Sequence, residues 1–221
     1  FEKKEVCRMY DVIIIGAGPG GIFSAYELLK EKPEAKIAIF ETGGPLEKRK
    51  CPIDGEKIKS CIHCKTCAIM NGFGGAGAFS DGKYNITNEF GGDLFNYVGH
   101  KQAIELMEYV DSINTSHGGE QTRLFSNNNA EIRKKCLEND LHLLDAKVRH
   151  LGTDINYIVL QNLFDELKDK ADFFFHTRIE EVRQTEAGYQ LISSKGEVFE
   201  GKQCIISTGR SGSKWMQKIC D

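Results

Sequence analysis

Asp11-Val12-Ile13-Ile14-Ile15-Gly16-Ala17-Gly18-Pro19-Gly20-Gly21 decides the fold class of this 221-residue chain. Val12 to Ile15 is a β-branched run without polar alternation, the pattern of a strand buried on both faces of a parallel sheet. Glycines follow at once. Ile22, Ala25, Leu28 and Leu29 then recur at helical spacing as far as Lys32, and Pro33 stops the helix. Lys36-Ile37-Ala38-Ile39-Phe40 reads as a second buried strand. Residues 11–41 therefore predict a right-handed βαβ unit at the head of an α/β fold.

The glycines satisfy G-x-G-x-x-G, a weak pattern alone that gains force from its place between strand and helix. Gly16 permits the tight turn, Gly18 lets a pyrophosphate approach the backbone, and Gly21 lets the helix lie close to the sheet. Pro19 and Gly20 open the helix, whose free N–H groups and positive dipole end suit phosphate. Glu41, at the end of the second strand, is placed to accept hydrogen bonds from the hydroxyls of an adenosine ribose.

Beyond Thr42 the pattern changes. From there to about Gly99 glycine, cysteine and polar residues dominate with no persistent period, which marks an insertion at about 42–99. A helix is predicted over 101–113, a loop over 116–129, a strand over 141–148, and a helix after Thr153 or Asp154. A third buried strand over 172–176 precedes short strands with turns at Ala187-Gly188 and Lys195-Gly196, a β-meander. Cys204-Ile205-Ile206-Ser207 closes the pattern as a last core strand leading into Thr208-Gly209.

The fingerprint serves both FAD and nicotinamide cofactors. The second glycine cluster, Gly72 to Lys83, reads alone as a flexible loop; together with the distal meander and the Thr208-Gly209 after the last strand it tips the reading to flavin. Gly75, Ala76 and Gly77 let backbone amides come close to a ligand, and Ser80 and Lys83 offer donors to phosphate or flavin oxygens. Asp81 and Lys83 are the nearest candidates for a general acid or base, and a role in a solvated loop suits them equally.

Cys61, Cys64 and Cys67 form C-x2-C-x2-C, with Cys51 upstream as a fourth ligand. Four thiolates in this spacing suit a [4Fe–4S] cluster or tetrahedral zinc, and the spacing does not choose between them; free thiols and a disulfide stay open. His63, within the cluster, reads first as a solvent-exposed loop histidine, and Cys7, Cys136, Cys204 and Cys220 as small apolar residues.

The net charge of −3 gives no basic excess for a nucleic-acid grip. No apolar run approaches the ~20 residues that span a bilayer, and residues 1–5 show no secretory leader. A reducing cytoplasm is the expected location of a chain with clustered rather than scattered cysteines.

The order of these motifs resembles the uncharacterised FAD-dependent dehydrogenases, within the two-dinucleotide-binding-domain flavoproteins of glutathione-reductase-like, Rossmann-like fold. The resemblance rests on the glycine fingerprint, Glu41, Arg49-Lys50-Cys51-Pro52, the cysteine cluster, Gly74 to Lys83, His150-Leu151-Gly152-Thr153-Asp154 and Thr208-Gly209-Arg210-Ser211-Gly212. It implies FAD, with Arg49 and Lys50 near the phosphate or adenine and Gly75 to Ser80 along pyrophosphate and flavin. By the same resemblance the backbone near Ile179 holds adenine, and Thr208-Gly209 meets the dinucleotide again. It also implies a longer protein, in which a substrate-covering domain and a later strand complete the FAD site; the sequence read here ends at Asp221, before both. The whole reads as one FAD/NAD(P)-binding domain of an oxidoreductase, with NAD(P) as an available electron donor. Its small-molecule substrate or electron-transfer partner is not specified by the sequence. A non-catalytic nucleotide-binding module and a metal-stabilised electron-transfer scaffold are the competing readings.

Overall fold

In chain order the elements are β1 (Met9–Ile15), α1 (Pro19–Glu31), β2 (Ile37–Phe40), β3 (Lys83–Ile86), α2 (Phe95–Val98), α3 (His100–Asn114), β4 (Leu124–Ser126), α4 (Ala130–Leu137), β5 (Lys147–His150), α5 (Gly152–Leu167), β6 (Asp172–Phe174), β7 (Ile179–Thr185), β8 (Gly188–Ser193), β9 (Val198–Ile206) and α6 (Ser213–Cys220). The structure is a computed structural model that describes residues 9–220, so Cys7 and the expected absence of a leader at residues 1–5 lie outside the described residues. The chain divides into two compact units, one formed by residues 9–78 and 163–220 and the other by 79–162.

In the first unit Ile13 pairs in parallel with Ala38 on one side and Cys204 on the other, which puts β1 inside a six-stranded sheet of order β6-β2-β1-β9-β8-β7. The strands from β6 to β9 run parallel, and β8 and β7 continue antiparallel. Strand alternation sends Ile13 to one face and Ile14 to the other, and both are fully buried because this sheet is covered on two sides. On the Ile13 face, Phe40 stacks on Phe174 at 5.0 Å between ring centroids and meets Phe199 at 4.6 Å. A second aromatic group joins Phe73, Phe164 and Phe173, with Phe73 fully buried. Phe40 and Phe73, the fully buried rings, each contribute about 1.5–3 kcal/mol through burial.

The last strand of the meander and the last core strand are one element. The nine-residue β9 pairs antiparallel with β8 through Val198–Gly201 and parallel with β1 through Glu200–Ile206. Gly201-Lys202-Gln203 hides this continuity by breaking the apolar run. Lys202 is satisfied at the surface by Asp11, at 2.7 Å.

The second unit carries the antiparallel sheet β3-β5-β4 with α2, α3 and α4. Arg149 of β5 donates from Nε and Nη2 to the two carboxylate oxygens of Asp111 at 2.6 and 2.8 Å, and from Nη1 to the Thr122 carbonyl. Both members of the pair are buried, and Asp111 raises the Arg149 pKa. Two local expectations change here. The strand expected over 141–148 begins only at Lys147, because the Asn127 side chain engages the Leu144 carbonyl and the Ala146 amide and takes them out of the ladder. The expected 116–129 loop contains the edge strand β4. The unit that interrupts the parallel-sheet unit covers 79–162, whereas most of the glycine- and cysteine-rich stretch, 42–78, belongs to the sheet unit itself.

Candidate cofactor-binding site

The three fingerprint glycines have different physical reasons. A Cβ on Gly21 would lie 1.9 Å from the Gly16 carbonyl oxygen, so the turn closes only with glycine there. Gly16 has φ +106°, and its Cβ would lie 2.6 Å from the Ser207 carbonyl oxygen, where β9 runs alongside. Gly18 is different. Its backbone is extended (φ −79°, ψ −175°), a conformation open to any residue, and a Cβ would meet nothing nearer than Gly75 Cα at 3.8 Å. Gly18 is also the N-cap of α1, with no side-chain cap bond, Pro19 next and no acidic residue in the first turn. The helix thus begins with orphan N–H groups and a bare dipole end facing a cleft.

That cleft has a volume of about 350 Å3 and is lined by Gly16, Gly18, Pro19 and Gly20, by Gly75, Ala76 and Gly77, and by Ser207 through Ser211. A neighbouring cleft of about 190 Å3 is lined by Lys65, Thr66, Thr177, Arg178, Ile179 and Trp215. Gly16, Glu41, Asn71, Thr208 and Ser211 line both, so the two form one continuous groove across the ends of β1, β2 and β9. This is where ligands sit in open α/β sheets, outside the carboxyl ends of the strands.

Glu41 ties the groove together from a buried position. Its Oε2 accepts the Ala17 amide at 2.9 Å, and its Oε1 accepts the amides of Gly43 and Gly72, both at 2.8 Å. The Gly74 amide donates to the Ala17 carbonyl at 2.8 Å, so the second glycine cluster is sewn to the first. A carboxylate offers about four acceptor positions, so three amides leave one on Oε2 for a hydroxyl in the groove.

Arg49 stands apart from the groove. It is buried, and its guanidinium donates to the carbonyls of Ala68, Ile69 and Phe73 at 2.9, 2.8 and 2.5 Å. Burial lowers its pKa, an effect opposed by the nearby Glu41 carboxylate. It shapes the 68–73 loop that walls the groove. Lys50 is exposed and lines neither cleft. Ser80 belongs to the second unit, where its hydroxyl accepts the Gly82 amide at 3.3 Å. Asp81 and Lys83 are exposed in the same unit, with Asp81 3.6 Å from His150.

Sequence reasoning missed Asn71, Arg178, Ser207 and Trp215. Ser207 donates its amide to the Ile15 carbonyl at 2.8 Å and its hydroxyl to Gly16 at 3.2 Å, closing the turn from behind. Trp215, the only tryptophan, donates its indole N–H to the Glu180 carbonyl at 2.9 Å, packs against the core cluster and lines the smaller cleft. It lies in the first turn of α6, just after the Arg210-Ser211-Gly212 turn.

Cys51, Cys61, Cys64 and Cys67 are free thiols around one pocket. Among the described residues no three His, Cys, Asp or Glu side chains stand in a metal-holding arrangement. Burial pushes the Cys204 thiol up to about 11, in keeping with a small apolar role.

No family model matches the sequence. Over 43 residues, 20% of this chain and 14% of the other, it is 49% identical to thiamine thiazole synthase of Yarrowia lipolytica (strain CLIB 122 / E 150). Among solved structures it is similar to glycine oxidase from Geobacillus kaustophilus, with TM-score 0.53 and 16% identity over 95% of this chain and 58% of that one. Glycine oxidase from Bacillus cereus ATCC 14579 gives TM-score 0.50 and 15% identity over 95% and 58%. NikD, an unusual amino acid oxidase essential for nikkomycin biosynthesis, gives 0.50 and 10% over 96% and 54%. The chain has the Rossmann-like α/β fold of these oxidases. It spans a little over half of their length, 54–58%. No helix among the described residues is long and apolar enough to cross a membrane.

Proposed function

We propose that this chain is the FAD-binding portion of an FAD-dependent oxidoreductase. The observation that carries the reading is the open side of Gly18: a glycine that neither the turn nor its neighbours require, at an uncapped helix start, bordering a groove. Anion binding at the α1 N-terminus accounts for all three features.

The rest of the groove fits a dinucleotide. The pyrophosphate would lie on the Gly18-to-Gly21 amides, with Gly75 to Gly77 opposite, where small residues leave room for it. The free acceptor position on Glu41 would take a ribose hydroxyl. Adenine would occupy the smaller cleft, beside the Ile179 backbone and the Trp215 ring, an aromatic face suited to stacking. Thr208 and Gly209 would close the groove from the β9 side. When bound, FAD supplies the capacity to accept and pass on a hydride or single electrons, while the protein orients it and keeps water from its reactive face. NAD(P) as electron donor, a small-molecule substrate or electron-transfer partner, and a cytoplasmic setting complete the proposal.

An absorption spectrum of the purified chain before and after adding FAD, with gel filtration to remove unbound flavin, tests this. Flavin bands that co-elute with protein support it. Uptake of ADP with no uptake of FAD would replace it by a nucleotide-binding module.

A further inference from the structure

Cys51, Cys61, Cys64 and Cys67 line one pocket of about 320 Å3, walled otherwise by Pro52, Ile53, Ile62, His63 and Ala68. The spacing alone made Cys51 a guess; the fold brings it to the same pocket as the C-x2-C-x2-C run. No carboxylate, lysine or arginine lines the pocket, so its donor set is sulfur with one imidazole, the set of soft rather than hard metals.

The segment is anchored on both sides of the thiols. Asp54 Oδ1 accepts the amides of Glu56, Lys57 and Ile58 at 2.8–2.9 Å, which makes the turn between Cys51 and Cys61. On the far side, the Cys67 carbonyl accepts the amides of Met70 and Asn71, and Arg49 holds the carbonyls of Ala68 and Ile69. Between these anchors His63 adopts a left-handed backbone, φ +50°, and its N–H points at Cys61 Sγ at 3.4 Å. An amide directed at sulfur stabilises a thiolate and is one of the levers by which proteins tune sulfur-ligated centres.

We propose that this pocket is a thiolate site for a soft metal centre, an iron–sulfur cluster or a single zinc ion, held by Cys51, Cys61, Cys64 and Cys67. Binding would require the four sulfurs to draw together from their present positions, and each thiol would release its proton to solvent. The inference goes beyond the FAD reading and does not depend on it. It has one structural link to it: Lys65, Thr66 and Asn71 of the same segment line the cofactor groove, so the centre braces one wall of that groove.

The test is anaerobic reconstitution of the reduced full chain, in one arm with ferric iron, a thiol that reduces part of it to ferrous, and sulfide, and in the other with zinc alone. Metal, acid-labile sulfide and reactive thiols are then counted. One centre per chain, with the four thiols shielded from a thiol reagent, is the expected result. Visible absorption bleached by reductant identifies a cluster; a colourless protein with one zinc identifies the ion. Cys61→Ser and Cys64→Ser, at exposed positions, should each weaken retention at least tenfold, while Cys136→Ser should leave it unchanged. The proposal is overturned if all four thiols stay reactive in both arms, if the metal survives both serine variants, or if the untreated protein already carries a Cys61–Cys64 disulfide. Fluorescence of Trp215 on adding FAD, read in parallel, keeps failure here separate from failure of the cofactor site.

Discussion

Ala17 and Glu41, 24 residues apart, are joined by a 2.9 Å hydrogen bond from the Ala17 amide to the Glu41 carboxylate. The same carboxylate holds Gly43 and Gly72, so one buried side chain sets the distance between the two glycine loops that border the groove. Glu41 is therefore a structural residue of the fold as well as a candidate ribose ligand. Glu41→Gln replaces one acceptor oxygen by an NH2 group that must face at least one backbone amide. Loss of about 1–3 kcal/mol of stability is expected from the unsatisfied donors. FAD affinity should fall along with the unfolding midpoint in denaturant. An unchanged midpoint would mean that the glycine loops are held by something else.

The fingerprint glycines separate by role. Gly18→Ala should leave stability within about 0.5 kcal/mol of the parent, as for surface changes without steric conflict, yet weaken FAD binding at least tenfold, about 1.4 kcal/mol. Gly21→Ala, whose Cβ would fall 1.9 Å from a carbonyl oxygen, should lose stability by about 1–3 kcal/mol or more. Thermal melts with and without FAD check both. A Gly18→Ala protein that melts early would make this glycine structural too.

Asp111→Ala leaves the Arg149 guanidinium buried without its carboxylate. Breaking a buried pair in this way costs about 3–5 kcal/mol. Because the pair lies within the 79–162 unit, amide exchange should show that unit opening first. Uniform loss of protection across the chain would contradict separate opening of the 79–162 unit.

Cys204 gives a pH dependence. Its thiol titrates at about 11 in the folded protein against an ordinary value of 9.0, so the folded state prefers the protonated form. Its contribution is intact below pH 9 and is lost as pH rises through about 11. The unfolding midpoint of the parent should therefore fall across this window more steeply than that of Cys204→Val. Parallel pH profiles would show that the thiol is not desolvated.

The βαβ unit was legible in the sequence because its signals are local: a β-branched run, a glycine turn, a 3.6-residue repeat and Pro33. The sheet order was less so. Gly201, Lys202 and Gln203 conceal that β9 joins both β1 and β8, since Lys202 finds its partner in Asp11, far away in sequence. Within the site, Gly18 and Glu41 follow from a fixed spacing, whereas Trp215 and Asn71 reach the groove only through tertiary folding. Arg49 came only from the resemblance, which put it near the phosphate or adenine; its guanidinium donates to three backbone carbonyls, contacts that no sequence spacing announces.

Trp215 gives a direct readout of dinucleotide binding, because the chain has no other tryptophan and this one lines the groove. Its fluorescence should be quenched in a saturable titration with FAD, and Gly18→Ala should shift that titration at least tenfold to higher concentration with no change in the starting signal. A flat titration for the parent chain, or identical curves for parent and variant, would contradict a dinucleotide site at the head of α1.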